Sequence, residues 1–361
     1  MRIGWMIYGS LGKMSGGYLY DRLVVEGLRE AGHHVEVISM PDVGWFRALT
    51  HNWDANLLEE AIELNLDLLV QDELNHPSLF LFNHSFKQFT KKPIVSVVHH
   101  LRSSEKHPPT AQVFYKLVER HYLKTVDAFI FNSEFTKDDV NRLSPLNNRP
   151  WVIAYPGKNR LEQRLTEDQV RQRCQTPGPL KLLFVGNIIP RKGLYYLLQA
   201  LKNLPPNQWE LKIVGSQSAN ASYFSKIQRC VSKHLKDSPI HFLGLQPNLM
   251  VRQIYQESQV LILPSDIEGY GIVYAEALGF GLPCLATNNG GAKEVIRDGR
   301  EGYLVPHANP LVLQTHLKNL IEDRTLLEKL SLQSLRRYDE LTAWSDTQEQ
   351  VKNFLEGLSK A

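Results

Sequence analysis

Cysteine is scarce: the chain of 361 residues holds only Cys174, Cys230 and Cys284, far apart and odd in number. Such spacing suits neither a disulfide framework nor a zinc site, and it fits a reducing compartment. Long apolar runs are lacking too. None reaches the roughly 18 residues needed to span a bilayer. The opening MRIGWMIYGSLGKMSGG is interrupted early by glycines and Lys13, unlike a cleaved signal. The expectation is a cytoplasmic protein, at most peripheral at the inner membrane face. An excess of either charge is also missing: 41 basic against 38 acidic residues leave a formal charge of +3. That is too little to imply nucleic acid as a partner. The sequence shows no internal repeat and no low-complexity tract.

With 43% hydrophobic and 22% charged residues, what remains is the composition of a soluble globular protein. The length exceeds what one core serves, so two domains of about 150 to 180 residues are expected. Short β-rich runs alternate with helical patterns in both halves. In the first half strands are predicted at 2–8, 34–40, 67–73, 94–100, 128–134 and 151–157, with helices near 17–31, 54–65, 111–124 and 135–143. A polar, charged stretch from Lys158 to Pro179, ending in TPGP, reads as a linker. The alternation then restarts with strands at 180–187, 209–216, 240–244, 259–265 and 284–288. Strands apolar nearly throughout imply parallel sheets covered on both faces. The fold class is therefore α/β, with two doubly wound domains and a ligand expected at the strand C-termini, in the cleft between them. The boundaries drawn are 1–165 for an N-terminal domain, 166–179 for the linker and 180–340 for a C-terminal domain, with a closing helix at 341–361 packing back on the N-terminal domain.

The common phosphate-binding signatures are absent. YGSLGKMSGGYLYDRL follows the first strand and opens a helix, but Gly9 and Gly12 miss the G-x-G-x-x-G spacing, and no Gly-Lys-Ser or Gly-Lys-Thr follows. Gly16 and Gly17 would still let a phosphate approach backbone N–H groups, and a tight turn alone explains them equally well. In FVGNIIPRKGLYYLLQAL, Pro190 and Gly193 constrain the loop that carries Arg191 and Lys192, so two cations are held at the end of a sheet. Plain surface charge is the alternative. His99 and His100 end the fourth strand, where open α/β sheets place ligands. Side chains alternate along a strand, so one of the two faces inward. With no carboxylate or cysteine at ligand spacing, a metal is the weakest role for it, and a structural histidine competes evenly with a functional one.

SDIEGYGIVYAEALGFGLP places Glu268 and Glu276 eight positions apart. On one helix eight steps leave two side chains roughly 80° apart, so a shared face does not explain them. Pro264, Ser265, Asp266, Gly269 and Gly271 mark a loop, and the residues from Ile272 continue as helix. Two acids then approach one space from different elements. The backbone N–H groups of Tyr270, Gly271 and Ile272 sit at the positive helix end, suited to a phosphate, while carboxylates accept from sugar hydroxyls. Together with the two cations these features describe a site for a phosphate ester of a sugar. Between Phe86 and Lys124 there are also eight basic residues against two acids, and Lys116, Arg120 and Lys124 form a stripe on a helix whose other face carries Phe114, Leu117 and Val118. A solvated face is the simpler reading of that stripe; contact with an anionic membrane or an acidic acceptor is the other.

Through FVGNIIPRKG, WELKIVGS, IHFLG, VLILPSDIEGYGIVYAEALGFGLPCLATNNGGAKEVI and DGREGYLV, in that order, the second half resembles the retaining glycosyltransferases of family 4. Their E-x7-E signature corresponds to Glu268 and Glu276. The first half is similar through the Gly16-Gly17 turn, VVHH, FIFNSEFTKDDV and YPGKN. The resemblance implies the GT-B fold, two Rossmann-like doubly wound parallel-sheet domains facing a central cleft. It implies that Glu276 holds the ribose of a nucleotide diphosphate sugar, that Glu268 contacts the transferred sugar, and that Lys192 neutralises the diphosphate. Backbone at Tyr270, Gly271, Ile272 and Val273 would bind phosphate and sugar oxygens. Gly16, Gly17, Asn187 and Gly215 join the donor-binding set, Leu243 and Leu245 border the base, and His99 meets the sugar near the reacting centre. His100 takes that place if the register slips by one. The family usually has Gly-Arg where this chain has Gly186-Asn187, so Arg191 is expected to complete the phosphate clamp with Lys192.

The reaction so implied is a retaining transfer from a nucleotide diphosphate sugar, UDP-sugar before GDP-sugar, to an acceptor hydroxyl of a glycan, lipid or small molecule. Neither a metal nor a cofactor beyond the donor is expected. A sugar phosphorylase or nucleotide-sugar epimerase of the same fold, and a non-catalytic nucleotide-sugar binder, are the alternatives.

Overall fold

Runs of Val, Ile, Leu and Phe with no polar alternation can be buried on both faces only inside a sheet that helices cover on each side. The computed structural model describes residues 1–359 and divides the chain into two units, Met1–Pro156 with Thr342–Ala361, and Gly157–Leu341. In the first unit β1 (Arg2–Tyr8), β2 (His34–Met40), β3 (Leu68–Asp72), β4 (Ile94–Val98), β5 (Ala128–Phe131) and β6 (Trp151–Ile153) form one parallel sheet, ordered β2-β1-β3-β4-β5-β6. Every residue of β3, β4 and β5 is buried. The intervening helices are α1 (Gly16–Glu30), α2 (Trp45–Ala48), α3 (Ala55–Glu63), α4 (His76–Thr90), α5 (Pro109–Leu123) and α6 (Glu134–Leu143). Met6, Ile38, Leu79, Phe82, Phe86 and Phe129 are central to the core of this unit.

The second unit repeats the plan. It opens with α7 (Glu167–Gln175), inside the stretch read as a linker, where Thr166 and Gln169 form a reciprocal capping box. Its strands are β7 (Leu180–Val185), β8 (Trp209–Val214), β9 (Ile240–Gly244), β10 (Val260–Leu263), β11 (Cys284–Thr287) and β12 (Gly302–Val305), parallel and ordered β12-β11-β10-β7-β8-β9. Between and after them run α8 (Leu194–Leu201), α9 (Ala221–His234), α10 (Asn248–Glu257), α11 (Ile272–Gly279), α12 (Ala292–Val295), α13 (Pro310–Glu322) and α14 (Arg324–Glu340). The closing helix, α15 (Trp344–Ser359), belongs to the first unit: the Gln348 amide donates to the Leu23 carbonyl at 2.7 Å and the Thr347 hydroxyl to Tyr155 at 2.6 Å.

Several strands end sooner than their apolar runs suggest. The residues at or just past their ends cap the next helical turn. Asp72 accepts from the Leu74 N–H and begins a 3-10 turn, and Ser133 accepts from the Thr136 N–H at the start of α6. The helix carrying the basic stripe also departs from expectation. α5 buries Tyr115, Val118, Glu119, Tyr122 and Leu123, whereas Phe114 and Leu117 are exposed beside Lys116 and Arg120. Among the described residues no helix is long and apolar enough to cross a membrane.

Candidate active site

In the second unit the predicted residues gather at the C-terminal ends of β7, β8 and β10. β7 ends at Val185, and after a short loop Pro190–Lys192 make one 3-10 turn that ends at Gly193, whose φ is +74°. Glycine is required there for two reasons. The dihedral is left-handed, and a Cβ would lie 2.0 Å from the Pro264 carbonyl oxygen. That close approach locks the 190–193 turn against the loop after β10. The Asp266 N–H donates to Arg191 O at 2.7 Å, and the Arg191 guanidinium donates to Ile267 O at 2.8 Å.

Across this junction Lys192 Nζ stands 2.7 Å from Glu268 Oε1, and Arg191 stands 3.8 Å from Oε2. Burial would raise the Glu268 pKa, but Lys192 first, then Arg191, with the Ser265 hydroxyl, hold it down at about 2. Glu268 therefore stays ionised and serves only as an acceptor. Its backbone is tied in as well, forming a parallel bridge to Gly290, with the Gly291 N–H donating to Glu268 O at 2.8 Å. α11 then begins at Gly271, with φ +95°, and no side chain caps it among the described residues. Tyr270 and Ile272 are buried there, and Val273 is half-buried.

Glu276 lies inside α11, as the bend between the two acids requires. Its partners are ones that sequence spacing did not reveal. Arg160 Nε is 2.5 Å from Oε1, and the Tyr255 hydroxyl donates to Oε2 at 3.1 Å. Arg160 also reaches Asn248 at 2.8 Å. Burial tends to lower the Arg160 pKa, and the Glu276 charge more than reverses this, raising it. Of the remaining positions, Asn187 Oδ1 accepts from the Ser216 N–H at 3.3 Å, next to Gly215. The amide that replaces the family's arginine thus joins the ends of β7 and β8. Leu243 is half-buried in β9, and Leu245 is exposed just beyond it.

In the first unit His99 follows β4 and is buried, its Nε2 3.0 Å from Asp21 Oδ1 on α1. His100 turns elsewhere, to Glu105 at 2.9 Å. Gly16 and Gly17 open α1 after the N-cap Ser15, and a Cβ on Gly17 would meet His99 Cδ2 at 2.9 Å. The glycine makes room for the histidine ring. Asp21 and Asp72, remote from His99 in sequence, supply the carboxylates that no local spacing could show: oxygens of both and a His99 nitrogen lie within 4.8 Å of one another. The Asp21 hydrogen bond already occupies Nε2. Glu73, His76 and Glu119 form a second buried group; burial first and foremost raises Glu73 to about 8 and Glu119 to about 7.

Residues 22–159 match Glycosyltransferase Family 4, and residues 166–336 match Glycosyl transferases group 1. A D-inositol 3-phosphate glycosyltransferase of Streptomyces bingchenggensis is 27% identical over 234 residues, which are 62% of this chain and 50% of that one. The chain spans about half the length of the curated relatives it matches. Sucrose-phosphate synthase from Thermosynechococcus elongatus has the same fold, with a TM-score of 0.84 at 20% identity over 99% of this chain and 98% of that one. HepE of Anabaena, crystallised with UDP and glucose, has a TM-score of 0.79 at 18% identity over 99% of each chain. Taken together the two family matches run through both units, and with the fold shared by these solved structures the chain belongs to the GT-B glycosyltransferases of family 4 and group 1.

Proposed function

We propose that the protein is a retaining glycosyltransferase that moves a sugar from a nucleotide diphosphate donor, a UDP-sugar foremost, to an acceptor hydroxyl. One observation carries this reading. Lys192 and Arg191 converge on Glu268 beside the start of α11, which itself carries Glu276. Positive charge for a diphosphate thus adjoins acceptor-only oxygens for sugar and ribose hydroxyls. The complexes of HepE with UDP and with UDP-glucose support a UDP-sugar as the first donor to test.

In the transfer the bond from the anomeric carbon to the leaving phosphate oxygen breaks, and the acceptor oxygen bonds that carbon from the same face. The acceptor's proton passes to an oxygen of the departing diphosphate. Negative charge grows on that diphosphate, and Lys192, Arg191 and the first N–H groups of α11 meet it. An ammonium has three donors, so Lys192 can hold Glu268 and a phosphate oxygen together. Glu268 is ion-paired and ionised, which suits orienting sugar hydroxyls and does not suit donating a proton. His99 is the first unit's contribution at the transferred sugar.

The test is a screen of UDP-, GDP- and ADP-sugars for thermal shift and nucleotide release, followed by glycan, lipid and small-molecule acceptors. A UDP-sugar is expected to turn over, with the donor's anomeric configuration kept in the product when read by NMR. Sugar 1-phosphate as product would indicate a phosphorylase, an isomerised donor an epimerase, and saturable binding without nucleotide release a binder. An inverted product would remove the retaining mechanism.

The proposal extends to an anionic membrane as a peripheral contact. The exposed Phe46 and Phe114 stack with ring centres 6.0 Å apart, and Phe114 packs on Trp45 at 5.2 Å. Val113 and Leu117 are exposed on the same helix as Lys116 and Arg120, with Lys124 at its end. Aromatic and aliphatic side chains set among cations suit a headgroup boundary. Each such cation is worth about 1 kcal/mol at an anionic surface. Reversing Lys116, Arg120 and Lys124 to Glu is therefore expected to weaken binding to phosphatidylglycerol vesicles by about 100-fold or more. Unchanged sedimentation with vesicles would eliminate the membrane contact.

A further inference from the structure

Two edges of the His99 ring are already taken in this structure. Nε2 faces Asp21 Oδ1 at 3.0 Å, and the Cδ2 edge lies over Gly17, where even a methyl group would come within 2.9 Å. Tyr20 packs edge-on against the ring, with centroids 5.3 Å apart. The backbone is held too: the Asn132 amide donates to the His99 carbonyl at 3.0 Å. Among the described residues no hydrogen bond is made by Nδ1, which leaves the Nδ1 and Cε1 side for a substrate. We propose that Asp21 is a positioning residue, holding His99 through Nε2 in one orientation and one tautomer, so that Nδ1 is the atom that meets the transferred sugar. The sugar is taken from the function proposed above; the positioning is not.

The consequence is a switch in what His99 can offer. A carboxylate accepts, so Nε2 carries the hydrogen that bonds Asp21. The neutral ring then presents an Nδ1 lone pair, and the cationic ring presents an Nδ1–H. Burial by itself would lower the His99 pKa. Asp21, by charge and hydrogen bond, and then Asp72 and Glu73 overcome this and raise it to about 9. Asp72 in turn is pushed well up by burial first and by the Asp21 charge next. Asp21 and Tyr20 of α1, Asp72 at the end of β3 and Glu73 in the turn after it are the titratable groups facing the ring. The Oδ2 atoms of Asp21 and Asp72 have no hydrogen-bond partner among the described residues. Because the folded pKa lies above the ordinary 6.5, the stability this group contributes is complete below about pH 6.5 and is lost as pH rises through about 9.

The experiment is a proton–nitrogen NMR titration of the full chain, with the His99 signal identified by its loss in His99→Gln, repeated on Asp21→Asn and Asp72→Asn. His99 is expected to titrate near pH 9 in the natural protein with its hydrogen fixed on Nε2 when neutral, to fall toward 6.5 in Asp21→Asn, and to fall less in Asp72→Asn. If Asp21→Asn does not fold, the natural protein and Asp72→Asn still decide the matter. No sugar is needed for this titration, so a chain that transfers nothing would sink the transferase reading and leave this one answered. With an active donor, the alkaline limb of kcat should move down in the same order, lowering kcat at pH 8 on the order of tenfold for Asp21→Asn with donor KM little changed. A His99 that titrates near 6.5 in the natural protein, or whose tautomer is unaffected by Asp21→Asn, overturns the proposal. So does one equivalent of bound divalent metal, by mass spectrometry, that Asp21→Asn releases.

Discussion

Lys192→Ala is expected to lower turnover by about 10²- to 10³-fold while the chain remains folded. The size follows from how the ammonium is held. Its turn is locked by Gly193 against Pro264, and its Nζ sits 2.7 Å from the carboxylate of Glu268, whose backbone is bridged to Gly290. A charge fixed this way needs no reorganisation when the diphosphate departs, so its loss is felt mainly in kcat. Arg191→Ala should cost less, because that guanidinium stands farther from Glu268 and spends a donor on Ile267 O. If Arg191→Ala changes neither turnover nor donor affinity, the two-cation clamp is wrong. A kcat within about threefold of the natural value for Lys192→Ala would remove Lys192 from the chemistry altogether. The acid side offers a second reading of the same pair. Glu268 has a depressed pKa, so its contribution to stability is complete above about 4.5 and is lost as pH falls through about 2. Without Lys192 that loss should begin at higher pH in an acid melt.

How much of this was legible in the sequence depended on whether the informative residues were close together in the chain. Strands 2–8, 34–40 and 240–244 coincide with β1, β2 and β9 because apolar runs bounded by glycine or polar residues mark them locally. The bend in SDIEGYGIVYAE was equally plain, since Gly271 can take the left-handed φ that starts α11 there. α4 was missed. His76–Thr90 mixes His, Ser, Asn and Gln with its apolar residues, and Gln71 and Asn83 form a buried amide pair at 2.7 Å that no periodicity announces. β12 was missed as well, being only Gly302–Val305 on the outside of the sheet. In the site, Lys192 with Glu268 could be anticipated from motif spacing, whereas Asp21 with His99 and Arg160 with Glu276 could not. Those pairs are 78 and 116 positions apart, and only the sheet order and the path of the chain onward from β6 bring them together. The amide at Asn187 shows the converse. Its departure from the family pattern was visible, but its bond to the Ser216 backbone was not.

Arg160→Ala is expected to destabilise the second unit by roughly 3 to 5 kcal/mol, the usual cost of leaving one member of a buried ion pair behind. For a unit of this size each kcal/mol moves Tm by about 2 to 4 °C, so the loss should be plain in a thermal melt. The guanidinium is 16% exposed and Glu276 only 2%, so solvent does little to replace the missing partner. Tyr255 remains, but a single hydroxyl bond at 3.1 Å does not neutralise the carboxylate. Removing the charge as well should rescue the protein: Arg160→Ala with Glu276→Gln is expected to melt closer to the natural chain than Arg160→Ala alone, a coupling that a double-mutant cycle reads directly. The same geometry bears on the donor. A carboxylate has about four acceptor positions, and Arg160 and Tyr255 use two, which leaves room for two ribose hydroxyls. In Arg160→Ala those hydroxyls would be the main donors left to Glu276, so saturating UDP should raise Tm by more in the variant than in the natural chain. An equal UDP shift in both would detach Glu276 from the ribose, and a variant melting within about 2 °C of the natural protein would show that the Arg160 bond is not holding this unit together.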